Sequence, residues 1–239
     1  MKTALIIMSR IPEPGYTKTR LLERLSADEC AALHRACLRD ICRAVRSSKL
    51  SAYLYYTGAI NRERQAAGSS MEHDLWGLLP QDYAYLTMRP QKGTNLGERM
   101  LNAAYETLAV YEAVILLGSD MPNLTPEFFY NIIDLLQEHD LVIGPAEDGG
   151  YYLLAIKKIC EELFRDIPWS TSDVLDRTIE VAKKSGLTYS LLPVQTDIDT
   201  WDDLCSFYSN GQINQEYMKL DAYKYAAYII EKRSLREGD

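Results

Sequence analysis

Apolar residues along the chain fall into two alternating kinds of block. Short, nearly continuous runs read as strands: TALIIMS (3–9), SAYLYYT (51–57), YAYLTM (83–88), AVILLG (113–118), DLVIGP (140–145), YYLLAI (151–156) and TYSLLPV (188–194). Runs this apolar belong to strands covered on both faces. Between them the apolar spacing changes to three and four. Cys30, Leu33, His34, Cys37, Leu38, Ile41 and Val45 keep that spacing to about residue 46. Ser26-Ala27-Asp28-Glu29 stands before them as a capping box, with serine and glutamate each satisfying a free amide of the first turn. Residues 95–111 and 125–139 read as helices, the second with Thr125 as cap and Pro126 at its first position. A further helix is expected near 171–185. Residues 212–236 read as one long helix with Tyr217, Leu220, Tyr223, Ala227 and Ile230 on a stripe. The segment between the second and third strands carries Gly58, Gly68, Ser69, Ser70 and Gly77 and reads as loop with short helical pieces.

Alternation of strands and helices predicts an α/β fold: a mostly parallel mixed sheet with helices on both faces, in three layers. A chain of 239 residues suits one large domain, and no linker or repeat interrupts it. The expected division is a domain over 1–206 and a C-terminal helical extension over 207–239. That extension packs on the domain or on a second copy, giving a homo-oligomer.

Composition narrows the partners. A net charge of −8 argues against nucleic acid, whose phosphates need a basic surface. No 18-residue apolar run is present, so no membrane span is expected. The start, MKTALIIMSR, lacks a cleavage site and reads as a buried first strand rather than a signal peptide. The five cysteines form no CxxC pair, and Cys30 and Cys37 fall on a helix stripe, as reduced core thiols of a cytoplasmic protein do. His34, His73 and His139 lack metal-ligand spacing and read as surface or satisfied residues.

In an open α/β sheet, ligands sit at the carboxyl ends of the strands. Arg10, Gly15, Lys18 and Arg20 follow the first strand. Gln91, Gly93 and Asn95 follow the third, with Arg99 in the next helix. Ser119 and Asp120 follow the fourth, Asp148, Gly149 and Gly150 the fifth, and Asp197 and Asp199 the last. The opening loop IPEPGYTKTRLL matches neither the P-loop spacing nor the dinucleotide fingerprint. Its glycine and cations suit a polyphosphate, and suit equally a turn with two solvated cations. Asp120, at the end of a wholly apolar strand, can hold a hard cation or cap a turn. Asp148 before two glycines makes a hairpin turn that also allows close approach of a ligand. Asp197 and Asp199 can complete a metal site with Asp120, whereas Asp202 and Asp203 suit the first turn of a helix capped by Thr200 or Asp199.

Six segments in order carry a resemblance: P-x-P-G-x-x-K-T-R-L (12–21), Q-x-G-x-N-L-G-x-R-M (91–100), G-S-D-M-P (118–122), G-P-A-E-D-G-G-Y-Y-L-L (144–154), P-W-S-T (168–171) and D-I-D-T-x-x-D-L (197–204). Together they resemble a family of GT-A-fold proteins assigned as glycosyltransferases or as transferases associated with radical-SAM and selenoprotein domains. More broadly they are similar to nucleotide-diphospho-sugar transferases and GT-A nucleotidyltransferases. The resemblance covers roughly residues 3–206. It implies a nucleotide site formed by Arg10, Gly15, Lys18, Arg20, Gln91, Gly93, Asn95 and Ser119. It implies Mg²⁺ or Mn²⁺ on Asp120 with Asp197 and Asp199, and an acceptor side with Asp148, Gly149, Gly150, Trp169 and Ser170. The family commonly carries Asp where this chain has Asn95, so hydrogen bonding survives there and charge does not.

The expected activity is metal-dependent transfer of a sugar from a nucleotide-activated donor to a small-molecule acceptor. Asp120 would serve the departing diphosphate, and Asp148 would be the base. The alternative is nucleotidyl transfer from a triphosphate to a phosphorylated acceptor, which releases pyrophosphate and needs no base. A third reading is a nucleotide-binding protein without turnover.

Overall fold

The computed structural model describes residues 1–58, 83–165 and 167–237. The loop expected after Gly58, with Gly68, Ser69, Ser70 and Gly77, lies outside the described residues. Among the described residues seven strands form one sheet in the order β3-β2-β1-β4-β6-β5-β7. They are β1 (Thr3–Arg10), β2 (Ser51–Thr57), β3 (Thr87–Pro90), β4 (Ala113–Leu117), β5 (Leu141–Pro145), β6 (Tyr151–Ile156) and β7 (Tyr189–Leu191). All neighbouring pairs are parallel except those made by β6, which runs antiparallel between β4 and β5. This is the mixed, mostly parallel α/β sheet that the alternating pattern predicts.

The long apolar runs are explained by helices on both faces. On one face Leu5 and Ile7 of β1 meet Leu38, Ile41 and Val45 of α1 (Ala27–Ser48) and Phe129, Ile132 and Leu136 of α3 (Pro126–Glu138). On the other, Ile6 meets Met100 and Ala104 of α2 (Leu96–Leu108) and the α4 residues Val174 and Val181 (Val174–Lys184). The Ser26–Glu29 capping box starts α1 as expected, and the Thr125 side chain caps α3.

A third core lies beyond α1. Cys30, Leu33 and Cys37 on its outer side pack with Leu204 and Phe207 of α5 (Trp201–Ile213) and with Ala222, Tyr223, Ala226 and Ile229 of α6 (Asp221–Glu237). The single helix expected over 212–236 is therefore two, and the buried stripe is shifted from the expected one. The break has a local cause. Asn214 is extended, its side chain accepts from Glu216 N, and a 3-10 turn follows at Tyr217–Lys219. The buried Asp40 carboxylate of α1 then receives the free amides of Asp221 and Ala222 at 3.0 and 2.8 Å, which fixes where α6 starts. α5 runs through the expected boundary at 206/207.

The third strand starts later than YAYLTM suggests. Residues 83–86 form a turn, closed by Leu86 N donating to Tyr83 O. That turn buries Tyr83 and brings the Tyr85 hydroxyl to the Cys42 carbonyl of α1. Tyrosine burial wins over strand alternation there, and β-pairing begins only at Thr87 opposite Tyr53.

One topological feature locates the ligand site. From β1 the chain winds outward through β2 and β3 on one side, and β4 adds on the other. The sheet order reverses between β1 and β4, and the crevice outside their carboxyl ends is where α/β sheets bind ligands. Because β6 is antiparallel, the turn before it opens at the same edge.

Candidate active site

The turn after β1 carries the first part of the site. Ile11 and Pro12 are buried, Gly15 turns the chain at φ 82°, and Thr17 and Lys18 turn back inward. Arg10 closes the loop by donating from Nη1 to Tyr16 O at 3.2 Å. Lys18 is in the left-handed region at φ 47°, a conformation that costs a non-glycine residue about 1 kcal/mol. Its reward is the direction of its side chain. Nζ lies 2.6 Å from Asp120 Oδ1 and 2.5 Å from Ile198 O, with the side chain only 2% exposed. Leu21, fully buried in the third core, anchors the 3-10 turn Thr19–Glu23 that follows. Arg20 therefore stays on the rim, where Nη1 meets Asp199 Oδ2 at 2.7 Å.

Asp120 stands at the exit of β4, its side chain 39% exposed toward the cleft. The backbone after β7 returns to this point, and Ile198 N donates to Asp120 O at 3.1 Å. Asp197 and Asp199 thus arrive beside Asp120. Burial alone would lower the Lys18 ammonium's proton affinity; the Asp120 carboxylate overrides it and holds Lys18 above the ordinary lysine value. Burial would likewise raise Asp120, but Lys18 holds it below the usual carboxylate range.

Asp197 behaves in the opposite way. Burial first, then the charge of Asp120, with smaller help from Asp148 and Asp199, pushes its carboxyl up to about 7 against the pull of Lys18. Its Oδ1 is buried and makes no hydrogen bond. An unpartnered buried carboxylate oxygen among like charges fits a divalent cation, which would relieve both defects. Among the described residues no three His, Cys, Asp or Glu side chains form a ready cage. Mg²⁺ sites are commonly of this kind, with one or two carboxylates completed by substrate phosphates and water. Asp197 and Asp120, the latter with Oδ1 also held by Lys18, fit that role; Asp199 has Oδ2 held by Arg20 on the rim.

Two hollows meet over these residues. One, of about 520 Å³, is lined by Arg10, Lys18, Gln91 and Arg99 on the β1 side. The other, of about 490 Å³, is lined by Asp148, Gly150, Tyr151, Trp169 and Asp197 on the β6 side. Arg20, Leu96, Ser119, Asp120, Ser170 and Asp199 line both. Among the described residues, Arg20 is the one cation lining the second hollow. Trp169 stands edge-on to Tyr151 at 6.1 Å between ring centroids and is held by Gly97, where any side chain would strike it. Ser170 is left-handed at φ 67°, the kind of backbone strain that persists where surrounding structure imposes it.

Twelve of the sixteen sequence-expected site residues line the two hollows: Arg10, Lys18, Arg20, Gln91, Ser119, Asp120, Asp148, Gly150, Trp169, Ser170, Asp197 and Asp199. The remaining four line neither hollow. Gly15 only turns the loop, with open space beside it. Gly93, at φ 136°, lies against Glu98 and its carbonyl accepts from Arg99 Nε at 3.1 Å. Asn95 caps α2 by accepting from Glu98 N at 2.9 Å. Gly149 lets the backbone of Ser172 approach so closely that a Cβ would lie 2.1 Å from its carbonyl oxygen. Gln91 is itself tied down, with Nε2 donating to Ser9 O and Tyr55 O at 3.2 and 2.9 Å. Thr200 and Asp203 form the capping box of α5, as their positions suggested.

Sequence reasoning passed over His34. It is a satisfied residue, as expected, but its partners belong to the site: Thr17 Oγ1 at Nδ1, and Ser9 Oγ and Ser119 Oγ at Nε2, both 3.1 Å. Burial lowers it to about 4, with Asp120 opposing and Lys18 reinforcing. Its position on the inward stripe of α1, directly behind the basic loop, was the available signal.

Comparison with known proteins bears on the family and the fold. Residues 32–171 match the model of the DUF2064 family, described as an uncharacterized protein conserved in bacteria. A candidate nucleotide-diphospho-sugar transferase from Desulfovibrio desulfuricans G20 is 30% identical, with 97% of each chain covered and a TM-score of 0.84. The 2-phospho-L-lactate guanylyltransferase of Methanocaldococcus jannaschii is 26% identical over 205 residues, 84% of this chain and 80% of that one. A cytidylyltransferase from Leptospira borgpetersenii shares the fold, with a TM-score of 0.53 at 12% identity over 100% of this chain and 96% of that one. The fold is thus the GT-A-like one expected, and the homologues are transferases. Their names divide between sugar and nucleotidyl transfer, as the two leading expectations do.

Proposed function

The chain belongs to the DUF2064 family, and we propose that it is a metal-assisted transferase that moves a sugar from a nucleotide-diphospho-sugar to a hydroxyl of a small uncharged acceptor. The carrying observation is the division of charge across the cleft. Both hollows share Arg20, Asp120 and Asp199; the β1-side hollow adds the cations Lys18, Arg10 and Arg99, whereas the other adds Asp148 and Asp197 with Trp169 and Tyr151. The cationic half suits a diphosphate, and Gln91 borders it. An anionic acceptor would meet carboxylates in the second half; a polyol would meet hydrogen-bond acceptors and aromatic faces.

Asp120 and Asp197 would hold Mg²⁺ or Mn²⁺. Such an ion neutralises charge on the departing diphosphate. Lys18, held rigidly, and Arg20, on the rim, stabilise the same charge. Asp148 takes the acceptor proton as general base; its Oδ1 is fixed by Gly150 N at 2.9 Å. No helix among the described residues is long and apolar enough to cross a membrane. The five free cysteines suit the reducing cytoplasm.

The guanylyltransferase relative favours a second reading, nucleotidyl transfer from a triphosphate, for which four cations are also well suited. Product identity separates the two. Incubation with Mn²⁺, a nucleotide-sugar panel and polyol acceptors should release a nucleoside diphosphate. Pyrophosphate released from GTP or CTP with a phosphorylated acceptor would replace the first reading by the second. Metal-dependent binding with neither product would leave a binding protein.

A further inference from the structure

His34 and Ser119 form a buried relay whose hydrogen-bond directions turn on which imidazole nitrogen carries the proton. With the Ser9 hydroxyl proton given to Arg10 O at 2.9 Å, Ser9 Oγ accepts toward His34 Nε2, 3.1 Å away. In that arrangement Nε2 carries the imidazole proton. A neutral imidazole has one donor and one acceptor nitrogen, and burial keeps His34 neutral at pH 7. Nδ1 is then the acceptor, and the Thr17 hydroxyl donates to it. Ser119 Oγ, also 3.1 Å from Nε2, accepts from the same N–H. The Ser119 hydroxyl proton is thereby left free, on a residue 5% exposed that lines both hollows.

We propose that His34 is a positioning residue that fixes the Ser119 hydroxyl as a hydrogen-bond donor to a phosphate oxygen of the bound donor. Through Thr17 it holds the Lys18 turn against the end of β4 by the same ring. Thr17 precedes Lys18 and Ser119 precedes Asp120, so one imidazole sets the spacing of the cationic and acidic halves. The inference rests on the reading of the β1-side hollow as the diphosphate site.

The test uses the full-length chain and inorganic pyrophosphate with Mn²⁺, followed by calorimetric titration at pH 7.5, with melting temperature recorded for every variant. Ser119→Ala should weaken binding about tenfold to a hundredfold, the range for a hydrogen bond to a charged group, with little change in melting temperature. His34→Gln places an amide donor near the Nε2 position and should keep most of the affinity. His34→Asn reaches only the Thr17 side and should lose as much as Ser119→Ala. Nitrogen-15 spectra of the wild type should show the Nε2–H tautomer. Wild-type affinity in Ser119→Ala, equal losses in the Gln and Asn variants, or an Nδ1–H tautomer would each overturn the inference. Should the wild type itself fail to bind pyrophosphate, the diphosphate site is wrong and the inference falls with it.

Discussion

Replacing Lys18 by methionine removes a buried ammonium while nearly keeping its volume. Two partners are stranded: the Asp120 carboxylate at 2.6 Å and the Ile198 carbonyl at 2.5 Å. Removing one member of a buried pair costs roughly 3–5 kcal/mol. Here the survivor is Asp120, 39% exposed to the cleft, so water rehydrates it and the cost falls toward the lower end. With the carbonyl's lost donor included, Lys18→Met should cost about 3 kcal/mol. Asp120→Ala should cost more, about 4 kcal/mol, because the stranded group is then an ammonium only 2% exposed. The double variant leaves no uncompensated charge, and the cycle should give a coupling energy of about 2 kcal/mol or more. Urea unfolding of the ligand-free chain at pH 7, followed by far-UV circular dichroism, measures all four corners. A coupling below about 0.5 kcal/mol, the scale of additive behaviour, would refute the claim that this pair organises the site.

Three further outcomes follow from other parts of the cleft. Folded Asp197 keeps its proton to about pH 7, whereas an unfolded aspartate releases it near 3.9. The folded state therefore binds more protons between about pH 4 and pH 7, and ligand-free stability from this group is lost as pH rises through that window. Asp197→Asn should flatten the fall in urea midpoint; an unchanged pH profile would show that Asp197 is not the group responsible. Mn²⁺ held as proposed by Asp197 would displace the same proton, so its stabilising effect should be larger at pH 8 than at pH 6. At Gly97 an added Cβ would lie 2.1 Å from Phe164 O and 2.4 Å from Trp169 Nε1. Gly97→Ala should cost about 2 kcal/mol by overpacking and shift tryptophan fluorescence; wild-type stability would mean that Trp169 is not held there.

Much of the candidate site was legible because it hangs on strand ends. A strand buried on both faces announces itself by a continuous apolar run, and the residues just after it belong to one edge of the sheet. That logic set Lys18, Asp120, Asp148 and Asp197 at one edge, and in the structure they line the two hollows there. It set Gly15, Gly93, Asn95 and Gly149 there too, and these line neither hollow, because turn, cap and close-packing residues occupy the same loops. A loop sequence does not say which side chain faces inward. In KTRL the turn buries Lys18 and Leu21 and leaves Arg20 on the rim, an outcome set by the left-handed conformation at Lys18.

Local order along the chain was thus the sequence's own contribution: the periodic runs, the Ser26 and Thr125 caps, and the α/β alternation that turns successive strand ends toward one crevice. These depend on neighbours within a few residues, which a sequence displays directly. Tertiary structure decided the rest: the antiparallel insertion of β6, the break before α6 imposed by Asp40, and the partners of Lys18, one of them 180 residues away. It also made His34 part of the site, through hydroxyls 17, 25 and 85 residues distant. A buried charge or imidazole finds its partners by proximity in the folded core, and nothing in the spacing along the chain records that proximity.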